Sequence, residues 1–114
     1  MKLYSYGACS TCRKALAWLR QQALSVDPID ITQQPPSPDE LAQALQQLGR
    51  KRLLNTSGQS YRALGKDTVA AMGDDQLIAA LAADGRLIKR PFLISDQGKV
   101  VTGFNPDEWQ ALVG

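Results

Sequence analysis

The spacing of apolar and polar residues changes period several times along this chain, and each change marks an element. Lys2–Tyr6 alternates loosely and is rich in aromatics, which predicts a short strand broken by Gly7-Ala8. From Arg13 to Gln22 the pattern is helical, with Ala15, Leu16, Leu19 and, just beyond, Ala23 on one apolar stripe. Val26–Ile31 returns to alternation around Asp30, so a second strand is expected, and Pro28 assigns it to an edge or a bulge. Gln33 to Pro38 is a proline-rich loop. Ser37-Pro38-Asp39-Glu40 then reads as a capping box with proline at the first helical position. The helix it opens runs through Leu41, Leu45 and Leu48 to a stop at Gly49. Arg50–Gly58 reads as a basic, polar loop, and Tyr61–Leu64 as a short helical turn. Asp74 or Asp75 opens a further helix with Leu77, Ile78 and Leu81 on one side and Gly85 at its end. Phe92–Ser95 and Lys99–Thr102 predict a hairpin around Asp96-Gln97-Gly98. Asn105-Pro106-Asp107-Glu108 begins a terminal helix that turns Trp109 and Leu112 inward.

The order is β-α-β, then helices, then β-β-α. A strand–helix–strand unit makes its two strands parallel, whereas the hairpin is antiparallel. One mixed four-stranded sheet flanked by helices satisfies both halves. This is the thioredoxin-like (glutaredoxin-like) arrangement of the α/β class, expected here as a single domain over residues 1–114. A helical insert, residues 37–85, separates the βαβ and ββα halves.

Composition narrows the chemistry more than the fold. A chain of 114 residues with 44% hydrophobic and 21% charged residues builds one ordinary core. Its 13 basic against 11 acidic residues leave a net charge of +2, too small by itself to imply nucleic-acid or membrane binding. No apolar run approaches the ~18 residues of a membrane span, and no signal peptide is read at the start. A cytoplasmic location is the expectation. There are no histidines, which excludes a Ser-His-Asp triad, a histidine base and a histidine-ligated metal. The two cysteines are too few for a disulfide scaffold or a zinc site within one chain, so no metal site is expected.

Those two cysteines carry the strongest chemical signal. Cys9-Ser10-Thr11-Cys12 falls between the first strand and the first helix. Unpaired N–H groups and the positive dipole end at a helix start favour a thiolate. Cys9, just before the helix, is therefore expected as the exposed nucleophile, and Cys12, in its first turn, as the resolving thiol. Thr11 and Arg13 are candidate thiol- or substrate-binding residues of the same turn. Two other readings stay open: a pair of small residues packing a helix start, and a metal half-site completed by a second chain. Arg90-Pro91 precedes the Phe92 strand, where thioredoxin-like folds carry an X–cis-Pro pair facing the cysteines. Arg90 then holds an anion or a thiolate opposite Cys9. The alternative is a trans Pro91 opening an edge strand beside a solvated arginine.

Several segments in this order resemble one family. They are Tyr4-x-x-x-Ala8-Cys9-x-Thr11-Cys12-Arg13-Lys14-Ala15, Leu53-Leu54-Asn55-Thr56, Tyr61-x-x-Leu64-Gly65, Ile88-Lys89-Arg90-Pro91 and Gly103-Phe104-Asn105. The family is that of the arsenate reductases (ArsC), with its glutathione-linked reductases, Spx-type transcription regulators and small YffB-type proteins. The resemblance implies Cys9 as nucleophile. It places the three oxyanion-holding arginines of the glutathione-linked reductases at Arg90, Asn55 and Gly103, so one of the three is kept. Spx-type regulators use a Cys-x-x-Cys pair as a disulfide switch and bind the alpha subunit of RNA polymerase; YffB-type proteins match the length and the Leu-Leu-Asn-Thr block. The function implied is a thiol-disulfide oxidoreductase with Cys9 and Cys12 as the redox pair. Glutathione or thioredoxin, with glutaredoxin as a further partner, would be the external reductant, with no bound cofactor. The alternative is a Spx-like redox-sensing regulator that binds RNA polymerase; neither reading involves direct nucleic-acid or membrane contact. Asn55 and Thr56 either line the active cleft or cap a loop. Arg50-Lys51-Arg52 is either a solvated helix end or a contact for a glutathione carboxylate or for polymerase.

Overall fold

The computed structural model describes residues 1–113, and its central strand shows how the chain makes two cores. In β1 (Lys2–Ser5) the neighbours Leu3 and Tyr4 are both buried, on opposite faces of the sheet. Leu3 joins Ala15, Leu19, Leu93, Val101 and Trp109. Tyr4 joins Ile31, Leu41, Leu53, Leu77, Ile88 and Phe92 on the other side. Both faces are covered, so buried apolar residues stand at consecutive positions in Leu3-Tyr4, Phe92-Leu93 and Val100-Val101. The sheet order is β2 (Ile29–Asp30), β1, β3 (Phe92–Ile94), β4 (Val100–Thr102). β1 and β2 are parallel; β1–β3 and β3–β4 are antiparallel, with Leu3 opposite Leu93 and Leu93 opposite Val101. The fold is thioredoxin-like.

Helices α1 (Ser10–Gln21) and α7 (Pro106–Val113) are the terminal helices; buried Ala15 and Leu19 of α1 and Trp109 of α7 belong to the Leu3 core. There Trp109 stacks edge-on with Trp18 and Phe104 at centroid distances of 6.3 and 5.2 Å, and its indole N–H donates to Gly103 O at 3.0 Å. Removing that ring would cost about 3–5 kcal/mol, more than any surface ion pair described below. Between the halves lie α2 (Pro38–Leu48), α3 (Arg50–Leu53), α4 (Gln59–Leu64), α5 (Lys66–Ala71) and α6 (Asp74–Ala83). The Ser37–Glu40 capping box forms with both reciprocal bonds. Glu40 also ties α2 to β1, accepting from Tyr4 Oη at 2.8 Å and from Lys2 Nζ at 2.9 Å. Gln47 of α2 closes the free edge of β4. Its Oε1 accepts from Val100 N–H at 2.8 Å and its Nε2 donates to Gly98 O at 3.0 Å, the bonds a pairing strand would otherwise supply.

Several expectations are corrected. The second strand, expected over Val26–Ile31, pairs only at Ile29–Asp30. Pro28 lacks a donor, though Ile31 N–H still reaches Ser5 O at 2.9 Å. Helix α1 starts at Ser10, not Arg13. Arg50–Gly58 is not all loop: α3 makes one turn there because Leu53 is buried. Helix α5 has no predicted counterpart, since Val69 alone is buried in it and one residue makes no stripe. Helix α6 ends at Ala83, and Gly85 belongs to a separate 3-10 turn, Gly85–Leu87. A Cβ on Gly85 would lie 1.8 Å from Ile31 O, so this glycine permits close approach to the end of β2 rather than stopping a helix.

Candidate active site

A short pairing between distant segments builds one wall of the site. Leu54 and Ile88 form an antiparallel bridge. Asn55 N–H donates to Leu87 O and Lys89 N–H to Leu53 O, both at 2.9 Å. Asn55 is thereby set beside the stretch Arg86–Arg90. The Arg90–Pro91 peptide is cis, and Pro91 is buried. The opposite wall is the turn from β1 into α1, where Cys9 N–H donates to Tyr6 O at 3.1 Å.

Cys9 caps α1. Its φ of −89° and ψ of 117° are extended, and its Sγ accepts from Cys12 N–H at 3.3 Å, the position a serine or aspartate oxygen usually fills. Both cysteines are free thiols; Cys9 is half-buried, whereas Cys12 is 1% exposed. Burial pushes the Cys9 thiol up. That is outweighed by hydrogen bonds from the Cys12 thiol and the Cys12 N–H, the charge of Arg90 and the Thr11 N–H, so its pKa lies below the ordinary thiol value. Cys12 goes the other way, to about 11, because of its burial and because its S–H is held on Cys9. One thiol is poised to ionise and its neighbour to stay protonated.

Cys9, Asn55, Ser57, Gly58, Lys89 and Arg90 line a cleft of about 310 Å³. Through Asn55, Gly58 and Arg90 it meets a second hollow of about 410 Å³, which Tyr6, Gln59, Ser60 and Arg86 complete. The Arg90 guanidinium lies over the Tyr6 ring, 5.0 Å from its centroid. Its Nε and Nη1 are buried and have no hydrogen-bond partner among the described residues. Buried charged donors without acceptors are costly, and an anion or thiolate in the cleft would supply the missing acceptor. Asn55 Nδ2 donates to Arg86 O at 3.2 Å, and its Oδ1 accepts from Ser57 Oγ at 3.1 Å. A Cβ on Gly58 would come within 2.9 Å of Asn55 Nδ2, so glycine leaves that amide its place.

Cys9, Asn55 and Arg90 thus meet at one cleft, whereas Cys12 lies buried behind Cys9 and Pro91 lies buried after Arg90, and neither lines it. Thr11 is exposed and contributes its backbone N–H toward Cys9. Arg13 donates from Nη1 to Gly7 O at 2.8 Å, bracing the turn below the cysteines. Thr56 is exposed and lines neither hollow. Residues the sequence did not single out are Tyr6, Ser57, Gly58, Arg86 and Lys89. Nothing in the sequence marked Lys89 by itself; in the structure its Cε lies 3.9 Å from where a Cβ of Gly103 would stand, beside the glycine at which the resemblance places a missing arginine. Among the described residues no cluster of three or more His, Cys, Asp or Glu converges as a metal site requires. No helix among them is long and apolar enough to cross a membrane.

The model of the ArsC family matches residues 4–112. The YusI protein of Bacillus subtilis is 41% identical over 113 residues, covering 96% of this chain and 95% of that protein. The global transcriptional regulator Spx of Streptococcus pyogenes is 32% identical over 113 residues, covering 97% of this chain and 83% of its own length. A solved structure from Streptococcus mutans, described as a possible arsenate reductase, superposes with a TM-score of 0.85 at 42% identity and covers 96% of each chain. By a family match spanning nearly all of its length, this chain belongs to the ArsC family.

Proposed function

We propose that this protein is a cytoplasmic thiol-disulfide oxidoreductase in which Cys9 is the nucleophile and Cys12 the resolving thiol. One observation carries the reading. The Cys9 sulfur sits at the start of α1, accepts the Cys12 N–H at 3.3 Å, and shares its cleft with an arginine whose buried donors lack partners. The Cys9 thiolate attacks a disulfide sulfur, a mixed disulfide forms and one thiolate leaves. Cys12 then gives up its proton to the departing thiolate and attacks Cys9 Sγ. The second thiolate leaves, the Cys9–Cys12 disulfide remains, and the substrate has gained two electrons. Glutathione or thioredoxin, directly or through glutaredoxin, returns the pair to the dithiol.

Alkylation across a pH series tests the first step. Cys9 should react with a midpoint below that of a free cysteine; an ordinary midpoint ends the reading. Cys12→Ser should accumulate the mixed disulfide on Cys9, and a variant that accumulates none removes Cys12 from the resolving role. Arsenate is a further substrate to test, by arsenate-dependent NADPH oxidation coupled to glutathione–glutaredoxin or to thioredoxin. Of the three family arginine positions, this chain keeps Arg90 alone.

A second reading has its own support in the 32% identity to a global transcriptional regulator. In it the same pair switches binding to the alpha subunit of RNA polymerase and nothing is turned over. Purified alpha subunit should then bind one redox state better than the other. Equal or absent binding in both states leaves the oxidoreductase alone.

A further inference from the structure

We propose that the polar hollow beyond Arg90 is a binding subsite for the carboxylate-bearing arm of an anionic disulfide, with Arg86 as its distal specificity residue. The inference rests on the oxidoreductase reading and deepens it from reaction type to substrate class.

Three observations carry it. First, the hollow adjoins the Cys9 cleft, sharing Asn55, Gly58 and Arg90 with it as walls. A ligand held by its sulfur at Cys9 has its remaining atoms led that way. Each hollow alone, at about 310 and 410 Å³, is the size of a small-molecule site. Second, the charge is one-sided. Arg86, Lys89 and Arg90 line the two hollows and no Asp or Glu does, although the whole chain is nearly balanced at 13 basic to 11 acidic residues. Asp84, beside Arg86 in sequence, uses its Oδ1 to accept the Arg86 backbone N–H at 3.0 Å, capping the 3-10 turn. Third, the cations are unengaged. Arg86 is exposed and makes no ion pair among the described residues, while Arg90 keeps two buried donors unfilled. Ser57, Ser60 and the Asn55 amide add neutral polar groups suited to a chain that carries carboxylates. The fitting partner is a disulfide whose sulfur is separated from a carboxylate by several bonds, so that Cys9 takes the sulfur while Arg86 meets the far charge.

The test uses the full chain carrying Cys12→Ser, which holds the mixed disulfide on Cys9 for mass measurement. Three symmetric aliphatic disulfides are compared, each rate divided by that disulfide's rate with free mercaptoethanol so that the differing acidities of the leaving thiols cancel: neutral bis(hydroxyethyl) disulfide, cationic cystamine and the dianionic disulfide of mercaptohexanoate. The dianion should react about tenfold faster than the neutral probe, and cystamine slowest, a spread within reach of one or two charge-assisted contacts. Arg86→Ala should lower the dianion-to-neutral rate ratio about fivefold. Arg86→Lys should restore part of it, and Arg86→Glu should favour cystamine. Arg62→Ala removes an exposed charge of α4 that lines neither hollow, and should leave the ratio as it was. A ratio indifferent to Arg86→Ala and Arg86→Glu, with Cys9 still reacting, overturns the subsite and leaves the oxidoreductase reading standing. If Cys9 forms no mixed disulfide even with the neutral probe, the reading itself fails and the subsite falls with it.

Discussion

Two basic stretches look alike on the sequence and do opposite things in the molecule. In Arg50-Lys51-Arg52 the guanidiniums are engaged. Arg50 donates to Asp74 at 2.7 Å and to Met72 O at 2.9 Å, and Arg52 reaches both oxygens of Glu108 at 2.9 and 3.1 Å. The Arg52 carbonyl also accepts from the Thr102 hydroxyl. α3 is a clasp between α6, α7 and β4. Around Arg86-Leu87-Ile88-Lys89-Arg90 the cations form no ion pairs among the described residues, and the buried face of Arg90 has only the Tyr6 ring. The denser cluster of charge therefore serves structure, and the sparser one faces the cleft. What makes a cation available for chemistry is the absence of a nearby acceptor, and that is decided by where carboxylates distant in sequence come to rest.

The largest effect expected bears on how much of Cys9's readiness comes from Arg90 and how much from the neighbouring thiol. Cys12→Ala removes the S–H donated to Cys9, the foremost influence lowering its pKa. A donor lost from an anion favours the protonated form, so the alkylation midpoint of Cys9 should move to higher pH. At neutral pH the rate should fall about tenfold for each unit moved. Cys12→Ser keeps an O–H donor and should fall less. Arg90→Ala should come next. It also raises the Cys9 midpoint, by a smaller step because the charge ranks behind the Cys12 bonds, and the rate at neutral pH should fall by less than in Cys12→Ala. Arg90→Lys should recover part. If Arg90→Ala leaves the midpoint unmoved, the contrast between the two basic stretches loses its chemical side.

The sequence disclosed what depends on near neighbours. The Ser37–Glu40 box, the proline at the start of α2, the hairpin at Gly98 and the Asn105 cap are contacts within four residues, and each stands as read. So does the placement of Cys9 and Cys12 at a helix start, because a strand ending at Ser5 leaves the turn no other place. Hidden were features made by long-range meetings. The partners of Arg50 and Arg52 lie 24 and 56 residues away. Lys89 enters the site through a bridge between residues 54 and 88, which no local period announces, and Asn55, carried by the same bridge, was marked by the family resemblance alone. Gly85 looked like a helix stop because its reason, the Ile31 carbonyl 1.8 Å from a would-be Cβ, belongs to another element.

The smallest effects test the structural side of the contrast. Arg52→Ala breaks a two-pronged but half-exposed ion pair with Glu108, whose side chains are 44% and 37% exposed. Such pairs contribute about 0.5–1 kcal/mol in dilute buffer, so the denaturation midpoint should fall slightly while Cys9 alkylation is unaltered. Glu108→Gln should lose a similar amount, and the double variant little more than either alone, since both remove one interaction. Salt separates charge from packing. At about 1 M the screening length drops to roughly 3 Å, and the stability gap between the parent protein and Arg52→Ala should narrow. A gap that persists undiminished would mean that Arg52 holds α3 to α7 through its aliphatic stem. The clasp would then be a packing contact, and the two basic stretches would differ in burial rather than in which charges found partners.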